Sequence, residues 1–568
     1  MFSLLIALLA PAAEAAEDNW KISLEGYYRT RGYIFSEMGA EQDGMGNFMA
    51  HRLRLQPEIN FQDRAKVIFQ ADLLDDVVWG DNSSIMPAAV FSQDPGFTRI
   101  EGQDVDLMQR STTAPMIKRA WLEFKVPVGL VRIGRQESHW GAGILSNHGN
   151  GFDDTFGENH YGSTFDRAIF ATRPVSIAQT IMGRDVTDFP LIMAVGVDRL
   201  VEDPLHIYYG YQCNVEDPAG NIITQDASQA GGTSAGLYDP RCDQLDGSTQ
   251  TAGRDGIHDT QHDYIDESRT PSQRDDLWWA DRNDDAWEMV YLALYKGENV
   301  DLFGAVGDLT IGAYVIDRKH VESDSRVGIY DAYFKFLRKG LYLESEVVNI
   351  RGKSSGLALP GTYDPASKLP NPLYKDIDIW GWLARAGYQR PAYTLMMESG
   401  FSSGDDNVAD SQFTGRPLHP DFNVGLLLYE EVLARVTSRT WSPEAFALWS
   451  NGGVWNSYYI FPNVRVRPMD NWEFSGAYLL AWPHLPDGSR ILCQESDGVQ
   501  CDSPAKEELA QEIGWEVDFA VKHRFHEHLN FTMETAYAQV SNRIPLENLG
   551  LNPDGKFFTF QSRIAYEF

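Results

Sequence analysis

The chain is written in short stretches that alternate apolar and polar side chains, separated by tracts rich in Asp, Asn, Gly and Ser. A period of two puts alternate side chains on opposite faces of a β-strand. The last such stretch, Phe557–Phe568, sets Phe558, Phe560, Ile564, Tyr566 and Phe568 against Thr559, Gln561, Arg563 and Glu567. Near the start, Trp20, Ile22, Leu24 and Tyr28 oppose Lys21, Glu25, Arg29 and Arg31. Then Leu53, Leu55, Pro57, Ile59 and Phe61 oppose Arg52, Arg54, Gln56, Glu58 and Asn60. In water an oily terminal strand would be an exposed, aggregation-prone edge, whereas a barrel closed in lipid has no edge.

The pattern predicts eighteen strands, at 20–35, 48–61, 66–79, 117–126, 130–144, 164–173, 189–201, 286–296, 308–317, 326–337, 340–351, 376–389, 392–403, 455–467, 472–482, 511–523, 528–541 and 556–568. Links such as Pro127-Val128-Gly129 and Arg390-Pro391 are compact and alternate with long tracts such as 80–116, 202–285 and 404–454; the links 174–188 and 297–307 are intermediate. Short turns at one rim and long loops at the other are what transmembrane barrels show, and an even strand number leaves both termini on the short-turn, periplasmic side. The fold class expected is all-β: a closed antiparallel transmembrane barrel with long extracellular loops. Two details strain the pattern. Pro57 removes a ladder donor from the second strand. Alternation also puts Arg135 on the lipid side, unless a bulge at Gly134 turns it inward.

Composition supports a barrel. There are 25 Tyr, 29 Phe, 15 Trp and 49 Gly, and no run of apolar residues is long enough for a transmembrane helix. The run Phe2–Ala13, followed by Ala13-Glu14-Ala15, reads as a signal peptide over 1–15 with the barrel over 16–568. The net charge of −33 argues against a nucleic-acid partner. Much of it is local, since residues 202–285 hold 18 Asp or Glu against 5 Arg and no Lys. This acidic tract reads as an extracellular loop in which Asp243, Asp246, Asp255, Asp259, Asp263 and Asp266 could gather Ca²⁺ or meet lipopolysaccharide through divalent ions, or simply form a solvated face. Outside these tracts no other cofactor or metal is expected. Cys213, Cys242, Cys493 and Cys501 read as disulfides, with Cys213–Cys242 and Cys493–Cys501 the favoured pairing because each closes within one loop.

Several segments carry a resemblance. Arg132-Ile-Gly-Arg-Gln136 followed by Trp140-Gly-Ala-Gly143 resembles the alginate-export-like outer-membrane channels. Asp72-Leu-Leu-Asp-Asp-Val-Val-Trp-Gly80, Phe165–Pro174 and His419–Tyr429 are similar to an uncharacterised outer-membrane barrel family of myxobacteria and related deltaproteobacteria. The resemblance implies location and architecture. It brings no catalytic residues, and a C-terminal Phe like Phe568 is what the barrel-assembly machinery recognises in such proteins.

An eighteen-stranded barrel is wide enough for an aqueous channel unless loops fill it. The basic residues expected to line the pore are Arg29, Arg31, Arg52, Arg54, Arg119, Arg465, Arg467 and Arg563. Glu58, Glu123, Glu344, Glu346, Glu398, Glu516 and Glu534 are interleaved with them; Arg29, Arg31, Arg52, Arg54 and Arg563 are expected as a basic stripe on one wall, with Glu344, Glu346, Glu516 and Glu534 on acidic walls opposite. These charges either create a transverse field for small hydrophilic or charged solutes or pair with one another as filling. In 404–454, the stretch Asp421–Arg439 has near-helical spacing, with Asp421 or Asn423 as cap, and lies either in the lumen or on the rim. An anchor for surface loops and an outer-membrane hydrolase are the alternative functions. Against an enzyme, Ser138 and His139 are adjacent and point to opposite faces, while His148, Asp153, Asp154 and His160 only share a loop.

Overall fold

The alternating stretches pair in sequence order. In a computed structural model they are β1 (Trp20–Ser36), β2 (Met45–Phe61), β3 (Ala65–Gly80), β4 (Met116–Val126), β5 (Gly129–Ser138), β6 (Ser163–Thr172) and β7 (Leu191–Glu202). Next come β8 (Ala286–Leu302), β9 (Ala305–His320), β10 (Ser325–Arg338), β11 (Leu341–Ser354), β12 (Lys375–Gln389) and β13 (Tyr393–Ser402). The last are β14 (Ser457–Met469), β15 (Trp472–Pro483), β16 (Gly514–His526), β17 (Leu529–Val540) and β18 (Lys556–Glu567). Each is antiparallel to the next, and β18 returns to β1 with Phe558–Glu567 beside Tyr27–Ser36, so the eighteen strands close into a barrel. The structure describes these strands, their short turns and the loop segments discussed below. Residues 1–19, 37–44, 63, 81–115, 153–154, 160–161, 185–188, 321–324, 355–374, 406–411, 440–449, 451, 486–510, 545 and 547–550 lie outside the description. So does 203–285, apart from three short strands at Asn214–Glu216, Ile222–Thr224 and Leu245–Asp246. The expected signal peptide, the four cysteines and all the acidic calcium candidates except Asp246 therefore fall outside the described residues.

The closing ladder extends to the terminal aromatic. Phe568 and Gly26 exchange both backbone hydrogen bonds, at 2.9 and 3.0 Å. The Phe568 ring lies where a Cβ on residue 26 would meet it at 3.1 Å, so glycine is what lets the ring sit over β1.

The side chains are inverted relative to a water-soluble protein. Trp20, Ile22 and Leu24 on β1, Leu395 and Met397 on β13, and Val517 and Phe519 on β16 are exposed outward. Arg29, Arg31, Arg52, Arg54, Glu344 and Glu516 are buried inward. An apolar outer surface running from strand to strand is far larger than soluble monomers tolerate, and it fits a lipid environment. Aromatic pairs mark the short-turn rim, with Trp20 and Phe61 at 4.8 Å and Phe189 and Tyr295 at 5.9 Å between ring centroids.

One expected link becomes strand, and three further details of the pattern are resolved. The link expected at 297–307 is mostly strand, closed by a two-residue turn at Phe303 and Gly304. Both have positive φ, 53° and 82°, the mirror-image turn whose twist suits a hairpin. The other intermediate link contains α1 (Pro174–Ile181), with Pro at its start. Pro57 stays in β2: its register with β1 is intact, while on the β3 side the ladder passes from Leu55–Ala71 to Glu58–Ile68. Finally, no bulge forms at Gly134. The register runs unbroken through Leu122–Ile133, Trp121–Gly134 and Ala120–Arg135, which leaves Arg135 on the outer face with Ile133. Its charge is met there by Asp166 on β6 in a bidentate pair at 2.9 Å.

The outward assignment is testable with Met397→Arg, which places a guanidinium in the apolar band. It is expected to cost about 2–4 kcal/mol in unfolding from a bilayer. A change within about 0.5 kcal/mol, as on a water-exposed surface, would remove the membrane reading.

Candidate functional site

The interior is built from the inward halves of the strands plus two segments folded between them. The wall made by β18, β1, β2, β3 and β4 is basic. Arg29 faces Arg52 in register across β1 and β2, and Arg31 faces Arg563 across β1 and β18; all four are buried. Arg54 forms a bidentate pair with Asp72 on β3 at 2.7 and 2.8 Å. Arg119 on β4 reaches Glu137 at 2.7 Å and the His148 carbonyl at 2.5 Å. A register irregularity between Gln70 and Ala71 leaves both Lys118 and Arg119 buried on consecutive positions of β4.

The acidic residues are distributed differently from the expected opposite wall. Glu344 and Glu346 on β11 lie across the ring, but Glu534 on β17 and Glu516 on β16 flank the basic wall, and Glu534 is 3.6 Å from Arg31. Around Glu344 the hydroxyls of Tyr333 and Tyr342 donate at 2.6 Å, with Arg385 at 3.1 Å. Arg385 also bonds Glu398 on β13 at 2.6 Å, and the Tyr459 hydroxyl donates to Glu398 at 2.8 Å. Toward the short turns, Glu58 meets Lys66 at 3.0 Å, Glu123 meets Arg132 at 2.6 Å and Arg467 meets Glu473 at 2.7 Å. Arg465 is half-buried beside them on β14.

The first inward segment, 139–162, was expected in part as the end of a strand. Alternation stops at Ser138 because Gly141, Gly143, Gly149, Gly151, Gly157 and Gly162 all take positive φ. That glycine density was the available signal. Trp140 donates its indole N–H to Asp331 on β10 at 2.8 Å, and the Ala142 N–H is bonded to Glu346. Farther along, the Gly157 N–H donates to Glu534 at 3.0 Å. The segment therefore crosses the lumen from the β10–β11 wall to the β17–β18 wall.

The second segment, within 403–456, contains a π-helical turn at Leu428–Leu433 continued by α2 (Ala434–Arg439). It lies inside the barrel. One Glu516 carboxylate accepts the backbone N–H groups of Leu426, Leu427 and Leu428 at 2.6, 2.8 and 2.6 Å. Leu427 and Leu428 are donors that a helix start leaves without intrahelical partners and Leu426 immediately precedes them, so Glu516 acts as the cap from another strand. Asp421 and Asn423 do not cap the helix: Leu427 is the N-cap residue, and Asp421 accepts the Gly162 N–H at 2.6 Å instead. Leu427, Leu428, Val432 and Val436 are fully buried, and Phe156 of the first segment meets Phe461 of β14 edge-on. Burial, with Glu516 nearby, raises the pKa of the Tyr429 hydroxyl, which stays neutral against Ser457 at 2.8 Å.

Where the two segments meet, Ser163, His419 and Asp421 line up as a hydrolase triad would. His419 Nε2 is 3.1 Å from Ser163 Oγ, and its Nδ1 is 3.9 Å from the Asp421 carboxylate. The proton arrangement is wrong for catalysis. Nδ1 accepts the Asp421 backbone N–H at 3.1 Å, so Nε2 carries the proton and donates to Ser163 rather than removing its proton. Asp421, through Gly162, ties the second segment to the end of the first, and His419 ties it to Ser163 at the start of β6; the three were not singled out as a set from the sequence. His148 of the expected loop cluster stacks on His139 with ring centroids 4.5 Å apart; Asp153, Asp154 and His160 are outside the described residues. Among the described residues no cluster of His, Cys, Asp and Glu is placed to hold a metal.

No family model and no curated protein matches the chain. Solved structures do. OccK9 (OpdG) of Pseudomonas aeruginosa has a TM-score of 0.47 at 11% identity, covering 96% of this chain and 98% of its own. A BenF-like porin from Pseudomonas fluorescens Pf-5 has 0.46 at 8% identity with the same coverage, 96% and 98%. OccK2 (OpdF) of Pseudomonas aeruginosa, solved with glucuronate, has 0.43 at 10% identity, covering 96% and 98%. Identities of this order assign no residue and no cargo to the present chain.

Glu516→Ala would leave three buried N–H groups without their acceptor, at a cost on the order of 3 kcal/mol or more. The expected result is protease cleavage within 403–456 while the barrel strands stay protected. Unchanged protection there would show that Glu516 does not hold this segment.

Proposed function

We propose that the protein is an outer-membrane, porin-like channel that conducts small hydrophilic solutes and favours anionic ones along its basic wall. One observation carries the reading: Arg29 faces Arg52, and Arg31 faces Arg563, directly across paired strands. Like charges in opposed positions destabilise a sheet. Four guanidinium groups so placed outnumber the two carboxylates beside them, Glu158 and Glu534, so the buried wall keeps an excess of positive charge that suits a carboxylate or another anion, and arginine can bind a carboxylate with two parallel hydrogen bonds. The pore-lining role of Arg119, Arg465 and Arg467, and of Glu58, Glu123, Glu344, Glu346, Glu398, Glu516 and Glu534, belongs to this proposal. Near the short turns the charges pair across strands; near the centre they hold the two inward segments, which narrow the lumen.

The inverted patterning supports integral insertion in an outer membrane, with lipid and lipopolysaccharide around the outer face, the short turns and both termini in the periplasm, and Phe568 presented to the assembly machinery. The resemblance of Arg132–Gln136 and His419–Tyr429 to alginate-export-like and deltaproteobacterial barrels adds to that placement without naming a cargo. The His419 tautomer argues against the hydrolase alternative at the Ser163, His419 and Asp421 site.

Planar-bilayer recording tests the proposal. The refolded barrel is expected to give open-state current with a preference for anions, and Arg52→Gln combined with Arg54→Gln is expected to reduce that preference. Correctly folded barrels that pass no current would replace the channel with an anchor for surface loops. Current with unchanged selectivity in the double variant would remove the basic wall from the account.

A further inference from the structure

The carboxylate that fills the arginine wall comes from the protein itself. Glu158, on the first inward segment, has a side chain with 0% exposure and sits among three guanidinium groups. Its Oε1 is 3.1 Å from Arg31 Nη1, and Arg29 reaches the same oxygen. Its Oε2 accepts from Arg563 Nη1 at 2.9 Å, and that nitrogen also lies 3.3 Å from the Gly157 carbonyl. The Phe152 ring covers the Arg563 guanidinium at 4.6 Å and meets Tyr27 edge-on at 4.9 Å. Oε2 is thus hydrogen-bonded by one guanidinium and Oε1 lies within ion-pair distance of two others, all from the barrel wall, with an aromatic side to the pocket. A small bound carboxylate would be held in the same way. The residue belongs to a glycine-rich loop rather than to the wall, and Gly157 beside it has φ of 73°, so its position depends on the loop's fold and not on sheet register.

We infer that Glu158 is a tethered occupant of a carboxylate-binding site formed by Arg29, Arg31 and Arg563: it fills the site at rest, and a solute carboxylate enters by taking its place. Passage through the barrel rests on the channel reading; occupancy of the site does not. A ligand tethered by a short loop acts at an effective concentration of roughly millimolar or above. A free carboxylate therefore competes only when abundant or when it makes further contacts, which makes Glu158 a selectivity filter against weak anions. Its removal leaves three guanidinium groups beside Glu534, 3.6 Å from Arg31, so the site should bind a free carboxylate more tightly without it.

The probe is acetate, with acetamide as the uncharged control, titrated against the full-length barrel refolded in detergent and followed by calorimetry. Glu158→Gln keeps the side-chain shape and removes the charge; it is expected to bind acetate at least tenfold more tightly than the unaltered protein, with no gain for acetamide. Adding Arg563→Gln is expected to abolish the gain. Glu158→Asp keeps the charge on a side chain one methylene shorter and should fall between the two, which provides a reading should the Gln variant fail to fold. Acetate affinity in a folded Glu158 variant no higher than in the unaltered protein overturns the inference, as does a gain that survives Arg563→Gln. A gain in acetate binding with no bilayer current from any form would retain the site and reject the channel.

Discussion

Hydrocarbon offers no partner to a peptide N–H or C=O, so a sheet that crosses it has to satisfy every ladder group within itself. For this chain the whole architecture turns on the last pairing, β18 against β1, where Phe568 and Gly26 exchange backbone hydrogen bonds. Without that seam the sheet would present two open edges. With it, an apolar surface can face outward around the ring and charged side chains can be turned inward, where they do not meet lipid. Arg135 shows how the rule is relaxed. A guanidinium on the outer face is kept with a bidentate carboxylate partner, Asp166, on the neighbouring strand.

Turning charges inward creates a second problem, since a closed interior lined by arginine and glutamate has to be solvated or paired. The molecule solves it unevenly. Near the short turns, cross-strand pairs such as Glu123 with Arg132 and Arg467 with Glu473 neutralise the wall locally. At mid-barrel, acidic residues bind backbone donors of the inward segments: Glu534 holds Gly157, and Glu516 holds the start of the π-helical turn. Between them stands the arginine cluster that receives Glu158. The same charges fix the loops and give the lumen its field, so structural and functional roles are inseparable there.

The Ser163, His419 and Asp421 arrangement shows why geometry has to be read together with proton positions. The side chains stand in the order a hydrolase would use, yet one backbone N–H from Asp421 fixes the imidazole tautomer that cannot act as base. Its consequence is mechanical: it joins the segment after β5 to the segment before β14.

The sequence by itself determined the strands, their number and their faces. Alternation is local, and a one-residue slip would move every side chain to the other medium. Trp20 through Arg31 and Phe557 through Phe568 could be read that way because lipid and lumen impose opposite demands on adjacent residues. Local reading failed where the pattern is carried by other signals. The twist of the hairpin at Phe303 and Gly304 let strands run through an apparent loop, and glycines ended β5 earlier than its apolar residues suggested. Tertiary structure alone decided what the interior does. Glu158, Glu516 and His419 act on residues distant in the chain, and no periodicity records which loop carboxylate meets which wall arginine. That choice follows from closing the ring, which brings β18 beside β1 and puts Arg563 next to Arg31, where Glu158 of the loop after β5 meets both of them and Glu534 of β17 also approaches Arg31.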